Sequence, residues 1–184
     1  MSKFIAVPAM LIGAITLATC TNAAAPGAAD SNQTPALGSP VSESRLADFD
    51  LIIAADGTGL PAGSGTADLG ETIYRSRCQA CHGENAEGRG SAAALAGGSM
   101  QSEGPPLRTV GSYWPYATTV FDFIRRAMPA DAPKSLSDEE VYQVTAYVLF
   151  LNGLVSRNQV LDRDSLPAIV MPNRGGFIDQ SRIQ

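Results

Sequence analysis

Cys78-Gln79-Ala80-Cys81-His82 is the stretch that decides the fold of this chain. A C-x-x-C-H run is the attachment signature of c-type haem. Two thiols three positions apart on one helical turn can each bond a vinyl group of the same porphyrin. The imidazole that follows reaches the iron from one face, so the spacing sets the cofactor's orientation and one axial ligand together. Half of a zinc site and a thioredoxin-type redox pair are the other readings of C-x-x-C. Zinc takes four ligands, whereas the chain holds three Cys and one His, and Cys20 falls in an N-terminal leader. A thioredoxin motif follows a strand in a βαβ setting, and no such pattern precedes Cys78. The expected cofactor is one covalent haem c on Cys78 and Cys81, with His82 on the iron.

The 184 residues suit one domain and a tail. Lys3 is a short positive start, and residues 4–18 are apolar but short for a membrane span. Residues 1–19 are read as a signal peptide. Two processing sites compete. Leu17-Ala18-Thr19-Cys20 is similar to a bacterial lipobox, which would leave Cys20 as a lipidated N-terminus, and Ala23-Ala24-Ala25 fits ordinary A-x-A cleavage. The odd cysteine count favours lipidation. Either route exports the chain, so the expected location is the periplasm, with membrane contact only through a lipid anchor at Cys20. The net charge of −5 gives no electrostatic case for nucleic acid.

Residues 20–44 are mostly Ala, Pro, Gly, Ser, Thr and Asn. They cannot bury enough surface to offset their ordering entropy and are read as a flexible linker. Residues 45–66 are an extended arm, with Phe49, Leu51, Ile52 and Ile53 ahead of a Gly/Pro-rich stretch. Residues 67–153 form the haem domain. Asp68 with Glu71 reads as a capping box, opening a helix that carries Leu69, Ile73 and Tyr74 into Cys78. Residues 83–108 have loop composition and are long enough to wrap a cofactor edge. A second helix is predicted from about Pro115 to Ala127, with Val120, Phe123, Ile124 and Ala127 at helical spacing. Arg125 and Arg126 sit in its last turn, where the dipole favours cations, and Pro129 stops it. A third helix starts on the capping box Ser137/Glu140 and runs through Val141, Val144, Tyr147, Val148 and Leu151 to Asn152-Gly153. Its apolar residues go most of the way round, so it is expected to be buried. Residues 154–184 are read as an irregular C-terminal tail packed on the domain.

His82 is the only histidine, so this chain alone cannot supply bis-histidine ligation. A thioether is the alternative and raises the reduction potential relative to two imidazoles. Met100, Met128 and Met171 are the candidates. Met128 follows a helix and precedes Pro129, where a rigid end can hold a sulfur toward iron, and is favoured. Its other reading is a gap-filling core methionine. The second His82 nitrogen needs an acceptor, from Ala93-Ala94-Leu95 or from Pro105. Arg108, Tyr113 and Trp114 are candidate donors to the propionates; the two aromatics equally suit a shelf over the porphyrin edge.

These residues resemble the class I cytochromes c. Gly70 and Tyr74 stand where that family carries a glycine and an aromatic before the motif, and Val144 and Tyr147 match the pair on its last helix. Its Pro-x-Leu is here Ala93-Ala94-Leu95. The resemblance implies an all-α fold: three main helices around one covalent haem, with an irregular arm and tail. A narrower resemblance covers residues 46 to about 178. The runs Asp56–Pro61, Gly111–Asp122, Arg125-Arg126-Ala127-Met128-Pro129 and Met171-Pro172-Asn173-Arg174 are similar to the cytochrome subunit of sulfane dehydrogenase (the SoxD family) and to sulfite dehydrogenase cytochromes. That subunit commonly carries a second haem domain, whereas this chain has one motif. The resemblance implies a molybdopterin-containing partner of the sulfite oxidase type as electron donor. A cytochrome or oxidase follows as acceptor, and no substrate chemistry is expected on this chain. Trp114, Tyr116, Arg125 and Arg126 are candidate partner contacts. A general tethered carrier between a respiratory complex and a terminal oxidase is the alternative. A third reading, an open-iron enzyme or gas sensor, requires Met128 to be off the iron.

Overall fold

A computed structural model describes residues 38–47, 49–178 and 180. Residues 1–19, read above as a signal peptide, Cys20 and most of the stretch read as a linker lie outside them. Residues 38–40 carry no helix or strand, and the compact unit that holds the motif begins at Val41.

The framework is a pair of crossed helices. Helix α2 (Ala67–Arg77), which comes after the short α1 (Glu43–Ala47), starts at Thr66, whose hydroxyl accepts from the Leu69 amide at 3.4 Å. The expected Asp68/Glu71 capping box is not formed. Thr66 reaches the free amide first, and both carboxylates turn to Arg157, whose Nη1 lies 2.6 Å from Glu71 and 3.4 Å from Asp68. Helix α6 (Asp138–Leu151) does start on its expected box: Glu140 N donates to Ser137 Oγ at 3.2 Å and Ser137 N to Glu140 Oε2 at 2.8 Å. From Val141 to Leu149 only Gln143 escapes full burial. There the helices cross, because Gly70 leaves room for the Gln143 backbone. A Cβ on Gly70 would lie 2.5 Å from the Gln143 carbonyl carbon and 3.0 Å from Tyr147 Cβ. Tyr74 and Tyr147 close the crossing with rings 5.1 Å apart.

Helix α5 (Ala117–Ala127) packs on the same core through Phe121, 4.5 Å from the Tyr142 ring. It begins two residues later than the sequence suggests. Pro115 holds Trp114 extended (φ −68°, ψ 133°), so the helix cannot reach back through it. Ahead of that corner lies the unanticipated α4 (Val110–Tyr113). It is capped reciprocally by Thr109 and Ser112, with amide-to-hydroxyl distances of 2.8 and 3.2 Å. Burying Phe121, Leu149, Leu161 and Leu166 contributes on the order of 1.5–3 kcal/mol each. An exposed pair such as Arg75–Glu71 is screened by water and adds little beside this, so the core dominates.

Arm and tail meet in a two-residue antiparallel ladder, β1 (Ser64–Gly65) with β2 (Leu161–Asp162). Helix side chains fasten the arm. Asp122 accepts from Ile53 N at 3.0 Å, Thr118 donates to Ala55 O at 3.1 Å, and Tyr142 OH donates to Pro61 O at 3.0 Å. Among the described residues no helix is long and apolar enough to cross a membrane.

Candidate haem site

Helix α2 delivers the motif but does not run through it. The chain breaks at Cys78 (φ −123°, ψ −38°) and resumes as α3 (Gln79–His82). Within that turn the Cys81 and His82 amides both donate to Cys78 O, at 3.1 and 2.9 Å. The turn is pinned from behind by Tyr74, fully buried, whose hydroxyl donates to Gly83 O at 2.9 Å. Burial holds that hydroxyl well above the ordinary tyrosine range. Cys78 is half-buried, Cys81 is exposed, and neither is in a disulfide. Burial pushes the Cys78 thiol up to about 11, the reverse of the lowered thiol that disulfide exchange uses. Among the described residues no three His, Cys, Asp or Glu side chains gather as a metal-ion site would require.

His82 Nδ1 lies 2.9 Å from Ala93 O. A carbonyl only accepts, so Nδ1 carries the proton and Nε2 keeps its lone pair free for iron. Of the two acceptors the sequence offered, the structure uses Ala93. Where the family has Pro-x-Leu, backbone bonds hold the loop here. Gly88 N donates to His82 O at 2.7 Å, and Leu95 N and Ala96 N both donate to Ala86 O, at 2.8 and 3.1 Å.

Met128 is the C-cap of α5, half-buried, its amide donating to Ile124 O at 3.0 Å. The loop that begins there is closed by Arg125, which grips Asp138 at the start of α6 at 2.7 and 3.3 Å. Arg126 pairs with the buried Asp122, whose side chain also accepts from Ile53 N. Arg125 and Arg126, two of the candidate partner contacts, thus both make ion pairs within the chain. Of the other methionines, Met171 is 1% exposed in the hydrophobic core. Met100 lines a cavity of about 420 Å³ with Gly97, Gly98 and Pro172.

The tail packs against the aromatic run Tyr113–Tyr116. Arg108 lies over Tyr113 at 5.1 Å, Phe177 meets the same ring at 5.3 Å, and Asn173 Nδ2 donates to Tyr113 O at 2.8 Å. Arg174 stacks over Tyr116 at 5.4 Å, and Trp114 meets Phe123 edge-on at 5.6 Å. The chemistry of this donor set fits haem c: two thiols outside any disulfide, an imidazole with Nε2 open, and a thioether at a rigid helix end.

Comparison with known proteins agrees. The family described as "Cytochrome C oxidase, cbb3-type, subunit III" matches residues 65–148. A chain of the sulfane dehydrogenase SoxCD from Paracoccus pantotrophus superposes with a TM-score of 0.75 at 37% identity, covering 82% of this chain and 75% of that one. The protein belongs to the class I cytochromes c. Within them it is a relative of the sulfane dehydrogenase cytochrome subunit. This cytochrome carries covalent haem c and is an electron carrier related to the cytochrome subunits of sulfur-oxidising dehydrogenases. It is also 38% identical over 89 residues to the thiosulfate dehydrogenase of Allochromatium vinosum, which is 44% of this cytochrome and 29% of that protein. The match spans less than a third of the dehydrogenase's length.

Proposed function

We propose that this cytochrome accepts electrons one at a time from a periplasmic, sulfite-oxidase-type molybdoenzyme acting on a sulfur compound, and passes them to a downstream cytochrome or oxidase. In this reading Cys78 and Cys81 would hold the haem covalently, and His82 and Met128 would ligate its iron. The bound haem supplies one-electron exchange at iron. The chain's own part is to fix the geometry around it. Ala93 O fixes the His82 ring and tautomer, and the end of α5, clipped to Asp138, presents Met128. A Met128 thioether gives a higher potential than a second imidazole, which suits an acceptor.

One observation carries the reading: similarity to a sulfane dehydrogenase chain at 37% identity over 75% of that chain. The exported location is supported by the leader in residues 1–19, and a lipid anchor by Cys20 directly after it. The test mixes the purified cytochrome with the molybdoenzyme and sulfite, thiosulfate or a sulfane donor, and follows haem reduction by stopped flow. Reduction much faster than by unrelated reductants is expected. Equal rates would return the protein to the second reading, a general tethered carrier, which the match to an oxidase subunit family favours.

A further inference from the structure

We propose that Asn152 is a positioning residue for His82, acting through the loop that supplies the ring's hydrogen-bond acceptor; this rests on the reading of His82 as an iron ligand. Asn152 caps the C-terminus of α6. Its carboxamide does more than cap. Nδ2 donates to Val148 O at 2.8 Å on the helix and to Leu95 O at 3.0 Å on the loop. Oδ1 accepts from Gly97 N at 3.3 Å. One end of the group is on a buried helix and the other on the segment two residues beyond Ala93, whose carbonyl holds His82 Nδ1 at 2.9 Å.

The loop needs such a fastening. Residues 91–99 read Ser-Ala-Ala-Ala-Leu-Ala-Gly-Gly-Ser, with Leu95 the one large side chain. Side-chain packing cannot fix so small-chained a segment, so its register depends on hydrogen bonds. Leu95 O is gripped twice, by Asn152 and by Val110 N at 3.1 Å. Helix α4 seats against the carboxamide itself, because Gly111 has no side chain. A Cβ there would lie 2.6 Å from Asn152 Cγ and 2.8 Å from its Cβ. The residue type also follows. Asparagine offers two donors and an acceptor from one short group, whereas aspartate would aim a carboxylate at two carbonyls and leucine would leave Gly97 N without this acceptor.

A cap with a merely structural role would change the melting temperature and nothing at His82. The test therefore reads the ring. With a single histidine in the chain, the reduced, haem-loaded cytochrome labelled with ¹⁵N-histidine gives one imidazole to follow by NMR. Exchange of the Nδ1 proton with solvent is expected to be about tenfold faster in Asn152→Asp and Asn152→Leu, as befits an opened loop bond. Leu161→Ala, a buried deletion in β2, serves as the control for destabilisation alone. Gly111→Ala, which presses on the carboxamide without removing it, is expected to behave like the Asn152 variants and stands in for any that does not fold. Exchange no faster than in Leu161→Ala overturns the proposal. The parent spectrum tests the underlying reading separately. A proton on Nε2 there refutes iron ligation by His82, whereas a proton-free Nε2 with unchanged variant rates overturns only the role of Asn152.

Discussion

Replacing Gly70 with alanine adds one methyl group at the point where α2 and α6 touch. The new carbon would sit 2.5 Å from the Gln143 carbonyl carbon and 3.0 Å from Tyr147 Cβ. Carbon atoms rest about 3.5–4.0 Å apart, so the helices must part by roughly 1 Å. A radial gap of that size forfeits about a quarter to a half of the dispersion at each contact it opens, including the Tyr74–Tyr147 pair. Overpacking of this kind costs about 1–3 kcal/mol. The new methyl meets helix backbone, which places the cost at the upper end of that range; alanine recovers about 1 kcal/mol of helix propensity, and the net loss is about 2 kcal/mol. For a domain of this size that lowers Tm by about 10 °C. Thermal melts followed by far-ultraviolet circular dichroism and by the Soret band measure it on the haem-loaded protein. Gly175, whose added Cβ would meet nothing within 4 Å, is the matched control and should melt with the parent as Gly175→Ala. A Gly70→Ala protein melting within ~2 °C of the parent would refute the claim that this glycine sets the crossing.

Three further outcomes are expected. Met128→Ala should abolish the thioether-to-iron absorption band of the oxidised protein; a band that survives rules Met128 out as the ligand. Arg125→Gln removes the clip across the loop that begins at Met128, a partly exposed pair worth ~1 kcal/mol. Carbon monoxide should then bind the reduced protein about fivefold faster, and an unchanged stopped-flow rate would show that the clip does not hold the loop. The hydrogen bond from Arg157 holds Glu71 below the ordinary glutamate value of 4.5. The ionised form therefore adds stability above that pH, and the gain is lost as pH falls through the lower folded value. In Arg157→Gln the fall in Tm below about pH 4.5 should be shallower than in the parent; parallel curves would show that the pair does not couple to folding.

What could be read from the chain was local. The Ser137/Glu140 box, the apolar run of α6 and the arrest at Pro129 are encoded within a few residues and appear where expected. The Gly70 crossing came from the family resemblance, and the structure gives it a steric cause. The misses were decided by residues far away in sequence. Asp68 and Glu71 look like capping groups until Arg157, more than eighty residues later, takes both carboxylates. Arg125 looks free on a helical wheel, and only the fold sets Asp138 against it, whereas the i,i+4 pair of Asp122 with Arg126 is legible within the helix itself. Helix α4 was masked by its glycine and by the aromatic run beside it, although Thr109 and Ser112 have the spacing of a capping pair. The choice between Ala93 and Pro105 as acceptor depended on how a small-chained loop folds back, which composition alone does not encode.

The ladder between Ser64–Gly65 and Leu161–Asp162 has a topological consequence. It ties the chain entering the domain to the chain leaving it, so everything from the first cysteine of the motif to the end of α6 lies inside one closed ring. A ring has no free end from which to fray. A protease or a thermal fluctuation that loosens the tail must also release the arm, and with it the bonds from Asp122 and Tyr142 that fasten residues 53–61. The cofactor's surroundings are thereby expected to open in one cooperative step, and nicking near residue 161 should be felt at residue 53.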